Sequence, residues 1–424
     1  MTTEFSPAAL QARYAVSQRL LARARAVIPN GAWGHSRFPA IYNPDASPWF
    51  VAHGRGARFS DVDGHEYIDY MCGYGAMLQG YANPEIDAAA ARHLEAGDCF
   101  TAPSAMTIEF AETMCRTIQG AAWCAFGKNG SDATTTALLI ARAQTSRRHI
   151  VCIRGAYNST HVWAQWCNPG AGRHPDDSAT VITVGWNDLG ELEEVFARRG
   201  DSIAAIMTMP YHAPIGAPAA LPTPAFLAAV RRLSHHHGVV WISDDVRMGF
   251  RLSLHGSHAY FGYQPDLMCF SKALGNTHPI SAVTGVESLR TAAESVFTAG
   301  TFWSAGAPMA AAVVNLRLLA NQGGIEKMRR LGTRLCEGLT ARASHHGLLA
   351  SLTGMPAMPT MTFADDPTFR RMTQFTRIMN ALGSIVSPLH NWFLSTAHTD
   401  GDIDTTLEHA DRAMAELVRN PDPA

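Results

Sequence analysis

The chain has 424 residues, of which 47% are apolar, and its formal net charge is -2. This length is enough for a large core and suggests two or three domains. The near-neutral charge gives no electrostatic reason to expect nucleic acid or an anionic membrane as a partner, and no apolar run reaches the ~18 residues of a membrane-spanning helix.

The first 31 residues contain arginines spread along the stretch and lack the apolar core of a signal peptide. They predict an amphipathic helix. The eight cysteines stand singly and none belongs to a CxxC pair. This pattern favours reduced thiols in a cytoplasmic protein.

From about residue 105 to 290, apolar runs typical of strands alternate with helical stretches. The strand-like runs are "HIVCIRG", "ATVITVG", "IAAIMTMP", "GVVWISDD" and "DLMCFSK". Buried strands separated by helices predict an α/β fold with a parallel sheet covered on both faces. Ligands of such sheets bind beyond the carboxyl ends of the strands, so the residues after each strand are the candidates for a site.

The flanking regions have a different pattern. The stretches "IEKMRRLGTRLCEGLTARASHH" and "FRRMTQFTRIMNALG" predict helices, and short strands accompany them. We therefore expect three regions: residues 1–60, which pack with a small domain; residues 61–310, a large domain; and residues 311–424, a small α+β domain.

The first candidate for ligand binding is the stretch "GKNGSDATTTALLIARA", where Asn129, Gly130 and Ser131 precede a long helix. Small residues at a helix start expose backbone N–H groups to an anion, and the helix dipole favours negative charge there. An ordinary N-cap formed by Asn129 or Ser131 is the alternative.

The second candidate is Tyr157, in the loop "GAYNST" that follows a predicted strand. An aromatic ring at this edge of the sheet can lie against a flat ligand, although a tyrosine packed under a loop is the commoner situation. The run "SHHH" at residues 234 to 237 is not a metal site on this interpretation, because adjacent histidines on a helix cannot all face one ion.

The third candidate is the pair Asp244 and Asp245, where the apolar strand of "GVVWISDDVRMGFR" ends. A carboxylate at the buried end of a central strand is costly unless it is paired, so a cationic group is expected beside one of them. Alternation along the strand lets only one of the two point in the direction of Ile242. A helix cap or a surface aspartate is the alternative.

The fourth candidate is Lys272, which follows the apolar strand of "PDLMCFSKALG". The chain has only three lysines, the others being Lys128 and Lys327. Partial desolvation disfavours the ammonium form and makes the amine a nucleophile able to form a Schiff base with a carbonyl compound. The alternative is a lysine whose head extends from the strand end into water.

Together the four candidates describe one ligand. It has an anionic group, a flat ring, a cationic ring nitrogen and an aldehyde, and pyridoxal 5'-phosphate (PLP) has all four.

Several motifs of the chain resemble those of class III aminotransferases of PLP fold type I. "KNGSDA" resembles N-S-G-T-E-A, "DDVRMGFR" resembles D-E-V-x-x-G-F-R, and "GTFWSAGAP" resembles G-T-L-S-G-N-P. The region "FSKALGNTHPISAVTG" is similar to the family's lysine region. The resemblance spans residues 20 to 415 and is strongest to the glutamate-1-semialdehyde aminomutase-like branch. It implies a large domain with a mostly parallel seven-stranded sheet and a smaller α+β domain.

The resemblance also implies roles for individual residues. Lys272 matches the Schiff-base lysine and Asp244 the carboxylate at the pyridine nitrogen. Thr301 matches a threonine that reaches the phosphate in the neighbouring subunit, which implies a homodimer. The complete set of cofactor-binding residues implied in this way is Asn129, Gly130, Ser131, Tyr157, Asp244, Val246, Lys272 and Thr301.

For the substrate, Arg37 in "IPNGAWGHSRFP" falls where the aminomutase-like branch has an arginine that binds a carboxylate. A solvated arginine is the alternative. His390 stands roughly where the aminomutase has a glutamate, Met209 replaces a glutamate that many members carry, and Asn158 replaces a histidine. These departures argue against a glutamate-1-semialdehyde role and leave the cofactor site intact.

We therefore expect a PLP-dependent aminotransferase that moves an amino group from an amino-acid donor to a keto or aldehyde acceptor in specialised biosynthesis. An intramolecular 2,1-aminomutase and a PLP racemase or lyase are the alternatives. A binding module without catalysis is disfavoured, because Lys272 and Asp244 are both present.

Overall fold

The computed structural model of the chain describes residues 3–34, 47–167, 172 and 174–420. The chain divides into two compact units. The small unit consists of Met1–Asn83, Ile215–Ala219 and Glu326–Ala424, and the large unit consists of Pro84–Pro214 and Ala220–Ile325.

The described part of the chain contains fourteen α-helices and thirteen strands. The helices are α1 (Pro7–Arg13), α2 (Ala15–Val27), α3 (Cys72–Gly75), α4 (Pro84–Glu95), α5 (Met106–Thr117), α6 (Gly130–Thr145), α7 (Leu189–Arg199), α8 (Pro224–His237), α9 (Ser257–Phe261), α10 (Arg290–Ser295), α11 (Gly306–Asn321), α12 (Gly324–His345), α13 (Arg370–Leu382) and α14 (Asp400–Arg419). The strands are β1 (Val51–Arg55), β2 (Arg58–Asp61), β3 (Glu66–Asp69), β4 (Trp123–Gly127), β5 (His149–Ile153), β6 (Val181–Val184), β7 (Ile203–Thr208), β8 (Val240–Asp244), β9 (Leu267–Phe270), β10 (Ser281–Gly285), β11 (Ala350–Met355), β12 (Met358–Phe363) and β13 (Ser384–Ile385).

A seven-stranded sheet in the order β4-β10-β9-β8-β7-β5-β6 organises the large unit. Only β10 runs antiparallel to its neighbours, so the predicted mostly parallel sheet is confirmed. The five strands predicted from apolar runs are β5 to β9. The sequence pattern did not locate β4 and β10, because "WCAFG" and "SAVTG" are short and rich in small residues.

The core of the large unit lies between this sheet and its helices. Side chains of α6, among them Ala137, Leu138 and Ala141, belong to the same buried cluster as Ile242 of β8 and Cys269 of β9. Every residue of β7, β8 and β9 is buried. Because α6 follows β4, which runs parallel to β8 and β9, the start of α6 lies at the same edge of the sheet as the carboxyl ends of those two strands.

The small unit contains a four-stranded sheet in the order β1-β2-β3-β13 and the β11-β12 hairpin. Strand β3 pairs with β13 from the other end of the chain, and α11 packs on α4 and α5. Residues 61–83 therefore group with the C-terminal region and residues 311–325 with the large unit. The units thus begin and end at residues other than the 60 and 310 expected from the sequence.

The predicted N-terminal helix is divided into α1 and α2 by Tyr14, which is buried and has non-helical backbone angles. Asp63 explains the second start, because its carboxylate accepts hydrogen bonds from the N–H groups of Val16 (2.6 Å) and Ser17 (2.9 Å). A carboxylate at this position caps the new helix and complements its dipole.

Three further observations concern the part of the chain that the structure describes. None of its helices has the length and apolarity needed to cross a membrane. Seven of its cysteines are free: Cys72, Cys99, Cys115, Cys124, Cys152, Cys269 and Cys336. No group of three or more histidine, cysteine or acidic side chains within it is arranged to hold a metal ion.

Gly285 in β10 allows a close approach that an alanine would disturb. A Cβ atom there would lie 2.2 Å from Cζ2 of Trp123 and 2.8 Å from Cδ2 of Leu267. We expect Gly285→Ala to lower the free energy of unfolding by about 1–3 kcal/mol, measured by urea or thermal unfolding. Gly190→Ala is the matched control. Gly190 lies in helix α7, a Cβ atom there would be 3.7 Å from its nearest neighbour, Oδ1 of Asp188, and alanine favours helices. Equal unfolding midpoints for the two variants would contradict this packing.

Candidate active site

Lys272 begins a short 3-10 turn, Lys272–Gly275, directly after β9 and Ser271. Its φ of 49° lies in the left-handed region, which is uncommon for a residue other than glycine. The side-chain amide of Asn315 on α11 donates hydrogen bonds to the carbonyls of Ala273 (2.8 Å) and Leu274 (2.9 Å). These contacts hold the turn and so maintain the unusual backbone conformation of Lys272.

The amine of Lys272 is poorly solvated and has charged neighbours. Burial and, to a smaller extent, the positive charge of Arg247 lower the pKa of Lys272 to about 8, while the negative charge of Asp244 opposes both effects. A larger fraction of the amine is therefore neutral near physiological pH than in a solvated lysine, which is what a nucleophile requires.

Asp244 is the last residue of β8 and is only 8% exposed. Its carboxylate accepts hydrogen bonds from Nδ2 of Asn158 (2.8 Å) and from the backbone N–H of Val246 (3.2 Å). Burial raises the pKa of Asp244, while these bonds and the charges of Lys272 and Arg247 lower it. The cationic neighbours expected beside one of the two aspartates are thus found at Asp244.

The adjacent Asp245 has a different partner. Its carboxyl accepts hydrogen bonds from the N–H and the hydroxyl of Ser257, both at 2.7 Å, at the start of α9. Burial, with a further contribution from the charge of Asp244, raises the pKa of Asp245 to about 7. Asp245 therefore supports the fold, and Asp244 is the carboxylate available to a ligand.

The start of α6 is capped by Asn129. Its side-chain oxygen accepts hydrogen bonds from the N–H groups of Ser131 (3.0 Å) and Asp132 (3.3 Å). The Asp132 carboxylate in turn accepts from the N–H groups of Lys128 (2.9 Å) and Asn129 (3.1 Å). The ordinary N-cap considered as an alternative for Asn129 is therefore present, and Gly130 and Ser131 are the two residues of this turn that remain candidates for binding an anion.

Gly130 lets the start of α6 contact Val246, the residue whose N–H bonds to Asp244. A Cβ atom at Gly130 would lie 2.6 Å from Cγ1 of Val246, so only glycine lets the helix start approach this side chain so closely. Because the N–H of Val246 also bonds to Asp244, the start of α6, Val246 and Asp244 form one continuous surface. The structure thus brings Gly130, Val246, Asp244 and Lys272 together.

Asn158 carries an unusual polar atom. The residue is 5% exposed, its Nδ2 donates to Asp244, and its Oδ1 is buried with no hydrogen-bond partner among the described residues. A buried acceptor without a donor is costly, so this oxygen suits a donor on a bound ligand. The preceding residue, Tyr157, is 46% exposed at the same edge of the sheet, and its side chain is accessible to a flat ligand.

Other predicted residues lie elsewhere or cannot be described. Thr301 is exposed in the loop before α11, and its carbonyl accepts a hydrogen bond from Sγ of Cys99 (3.1 Å). His390 belongs to the small unit, where its ring centroid lies 5.6 Å from that of Tyr74, edge-on. Arg37 lies outside the described residues. Met209, at the position of the family's glutamate, directly follows β7 and is buried.

Arg247 is a charged residue of this region that the sequence analysis did not single out. One guanidinium nitrogen, NH2, donates a hydrogen bond to the carbonyl of Ala213 (2.9 Å), in the loop after β7. Burial lowers the pKa of Arg247. The signal that could have revealed it is a basic residue three positions after Asp244, directly beyond a fully apolar strand.

The residues of this site match the phosphate, the ring nitrogen and the aldehyde of PLP. A phosphate is favoured at a helix start, the pyridine nitrogen needs a carboxylate, and the aldehyde needs an uncharged amine. The close approach at Gly130 and the unpaired Oδ1 of Asn158 are features that a bound ligand explains. Fold and site together define a PLP-dependent transferase of fold type I.

Comparison with known proteins gives the family. The model of the class-III aminotransferases matches residues 41–414, and the chain belongs to this family. Aminopentol aminotransferase from Sphingopyxis macrogoltabida is 39% identical over 94% of this chain and 93% of its own length. 3-Aminobutyryl-CoA aminotransferase from Cloacimonas acidaminovorans is 31% identical, over 96% of this chain and 98% of its own. Glutamate-1-semialdehyde 2,1-aminomutase from Anaeromyxobacter sp. is 31% identical, over 95% and 99%.

Solved structures agree with this assignment. The FumI protein of Sphingopyxis sp. MTA144, in its PLP internal aldimine form, superposes with a TM-score of 0.92 at 38% identity and covers 95% of this chain and 97% of its own. An omega-transaminase from Sphaerobacter thermophilus shares the fold, with a TM-score of 0.87 at 24% identity over 95% of this chain and 98% of its own. The protein is a PLP-dependent aminotransferase.

The lowered pKa of Lys272 predicts how the cofactor-free protein reacts with an amine reagent. Only the neutral amine reacts, so the labelling rate of Lys272 should rise with pH and reach half its maximum near pH 8. Trinitrobenzenesulfonate labelling followed by peptide mass spectrometry measures this midpoint. In Arg247→Met the midpoint should move to higher pH, because a nearby positive charge is removed. A midpoint near the ordinary lysine value of about 10.4 in the unsubstituted protein would contradict the environment described here.

Proposed function

We propose that Lys272 and Asp244 are the catalytic residues of this aminotransferase, which transfers an amino group from an amino-acid donor to a keto or aldehyde acceptor. One observation carries the proposal. The amine of Lys272 has its pKa lowered to about 8 by burial, in the electrostatic field of Asp244, at the carboxyl edge of a mostly parallel sheet. Nucleophilic lysines are activated by such desolvation.

The residues that would hold the cofactor follow from the geometry of the site. Gly130 and Ser131 suit the phosphate, Val246 and Tyr157 suit the two faces of the ring, and Asp244 suits the ring nitrogen. PLP supplies an electron sink for the carbanion that forms when the substrate α-carbon loses its proton.

The side chains of the chain then have distinct tasks. The neutral amine of Lys272 accepts the proton from the substrate α-carbon and later returns one, acting as base and acid in turn. Asp244 stabilises positive charge at the ring nitrogen, because its carboxylate is buried and oriented. Asn158 fixes that orientation by its 2.8 Å hydrogen bond and favours the ionised form of Asp244.

The choice of substrate distinguishes an aminotransferase from its nearest alternative. The relatives named aminomutases make an intramolecular 2,1-aminomutase the second candidate. Met209 and His390 argue against it, because Met209 stands where many family members carry a glutamate and His390 roughly where the aminomutase has one. The relative named aminopentol aminotransferase supports a role in specialised metabolism, as does the departure at Asn158.

We further propose a homodimer in which Thr301 reaches the phosphate site of the partner subunit. Thr301 is exposed, and two aromatic neighbours in its loop are exposed as well: Phe297 (92%) and Phe302 (66%). The bond between Cys99 and the Thr301 carbonyl brings Phe100, which is 48% exposed, to the same loop. Exposed apolar clusters of this kind mark protein interfaces.

The free cysteines of the described residues support a cytoplasmic location.

Replacing the proposed nucleophile should remove the covalent cofactor link. After borohydride reduction, the unsubstituted protein should carry the cofactor on the peptide that contains Lys272, and Lys272→Ala should carry none. Lys327→Ala is the control, because Nζ of Lys327 donates to the Thr396 carbonyl (2.6 Å) in the small unit. Label found on Lys128 or Lys327 would refute the assignment.

The proposed contribution of Thr301 across the dimer predicts complementation between two inactive variants. Thr301→Glu should repel the phosphate, and Lys272→Ala lacks the nucleophile. In a mixed dimer, one site combines Lys272 of one subunit with Thr301 of the other. Refolding an equal mixture should therefore restore about a quarter of the normal activity, since half the dimers are mixed and half of their sites are complete. Activity no higher than that of the separate variants would show that Thr301 does not act across the interface.

A further inference from the structure

The guanidinium of Arg247 remains unassigned when the roles of the other charged groups are complete. It follows Val246 directly, and its charge acts on both Lys272 and Asp244. One nitrogen, NH2, donates to the Ala213 carbonyl at 2.9 Å. Within the described ranges the guanidinium makes no other hydrogen bond and no ion pair.

The loop that Arg247 contacts does not neutralise it. The sequence from Met209 to Pro214 is "MPYHAP" and contains no acidic residue. His212 in this loop is kept neutral, because burial and the charge of Arg247 lower its pKa to about 4. Asp244 is the nearby anion, but its oxygens already accept bonds from Asn158 and Val246 and it is the proposed partner of the cofactor nitrogen.

Arg247 also differs from the other arginine near Lys272. Arg251 is 1% exposed, so a substrate cannot reach its guanidinium. Arg247 is only partly buried, so part of its side chain remains accessible. It is therefore a poorly hydrated cation whose charge acts on the amine of Lys272, with donors that no described residue uses.

We propose that Arg247 binds the carboxylate of the amino-acid donor and of the keto acid that it becomes. This inference rests on the proposed function, because it concerns the substrate that meets Lys272. A guanidinium presents two parallel N–H donors to a carboxylate, and its bond to Ala213 holds one end of the fork in place. The substrate carboxylate would also neutralise Arg247, which the loop from Met209 to Pro214 cannot do because it contains no acidic residue.

The resemblance to the family does not predict this role. In the pattern D-E-V-x-x-G-F-R, Arg247 falls at an open position, whereas Arg37 is the position at which the resemblance places a carboxylate ligand. The two arginines therefore give different expectations, and variants at each position separate them.

The test uses two amines that differ only in the group to be recognised. L-Alanine and 2-aminopropane have the same amine-bearing carbon, and a methyl group replaces the carboxylate in the second. For each amine, KM and kcat of the half-reaction are measured with the PLP-loaded enzyme, together with cofactor content. In Arg247→Met, the KM for L-alanine should rise about tenfold to a hundredfold, as expected for the loss of a charge-assisted bidentate contact. The KM for 2-aminopropane should rise far less than the KM for L-alanine, because the effect of the lost charge on Lys272 is common to both amines and only L-alanine uses the contact; the cofactor content should stay within about twofold of the unsubstituted enzyme.

Two further variants test whether the effect depends on the guanidinium geometry and on this particular arginine. Arg247→Lys keeps the charge without the fork, so its KM for L-alanine should fall between the other two values. Arg232→Met is the control for loss of an arginine, because Arg232 lies on the exposed face of α8 and its NH2 pairs with Glu193 (2.6 Å). Equal losses with both amines, unchanged kinetics in Arg247→Met, or a selective loss in Arg37→Met alone would each overturn the proposal.

A measurement on the unsubstituted enzyme does not depend on how the variants fold. Phenylglyoxal modifies accessible arginines, and mass spectrometry locates the modified residue. Pyruvate should protect Arg247 from modification and leave Arg232 unprotected; modification of Arg247 that pyruvate does not slow would overturn the proposal. An enzyme that reacts with 2-aminopropane and with no amino acid would also overturn it while leaving the aminotransferase assignment intact. Failure to react with any amine would instead count against the proposed function itself.

Discussion

The withdrawal of one amine from water is the constraint on which the rest of the site depends. Lys272 follows a strand in which every residue is buried, and its turn is fixed by hydrogen bonds from Asn315. Burial makes the ammonium form costly, and this is the reason that Lys272 is the proposed nucleophile. The parallel sheet makes this burial possible, because sheets of this kind are covered by helices on both faces and bind ligands beyond the carboxyl ends of their strands. The aspartate at the end of the neighbouring strand β8 then lies at the same edge.

The groups around this amine have separate tasks because their environments differ. Asp244 and Asp245 are adjacent, yet one is oriented by Asn158 and Val246 and the other by Ser257. The first is therefore available for chemistry and the second stabilises the start of α9. Asn158 replaces a histidine of the family pattern and keeps a donor beside Asp244 without adding a group that titrates near neutral pH. The charge balance of the site thus depends on Asp244, Lys272 and Arg247.

The sequence predicted the parts of the fold that depend on local pattern. Five strands and the long helices followed from apolar runs and their spacing, and Lys272 and Asp244 stood out because charged residues ended such runs. The pattern did not locate β10, which is held by pairing on both sides rather than by its own composition. The pairing of β3 with β13 joins residues more than 300 positions apart, so no local signal reveals which unit residues 61–83 belong to. Arg247 was missed for a similar reason, because its importance lies in what surrounds it and not in its own stretch of sequence.

The buried carboxyl of Asp245 has a consequence for the conditions under which the enzyme works. Its pKa, raised to about 7, means that the folded state favours the protonated form, so this residue contributes most to stability at low pH and its contribution is lost as the pH rises from about 4 to about 7. Lys272 has the opposite preference, since its reactive form accumulates toward pH 8. The stabilising contribution of Asp245 is therefore already lost at the pH at which the neutral amine of Lys272 accumulates. The folded enzyme thus holds a carboxyl that favours its proton and an amine that must lose one at the same edge of the sheet, just beyond the ends of the neighbouring strands β8 and β9.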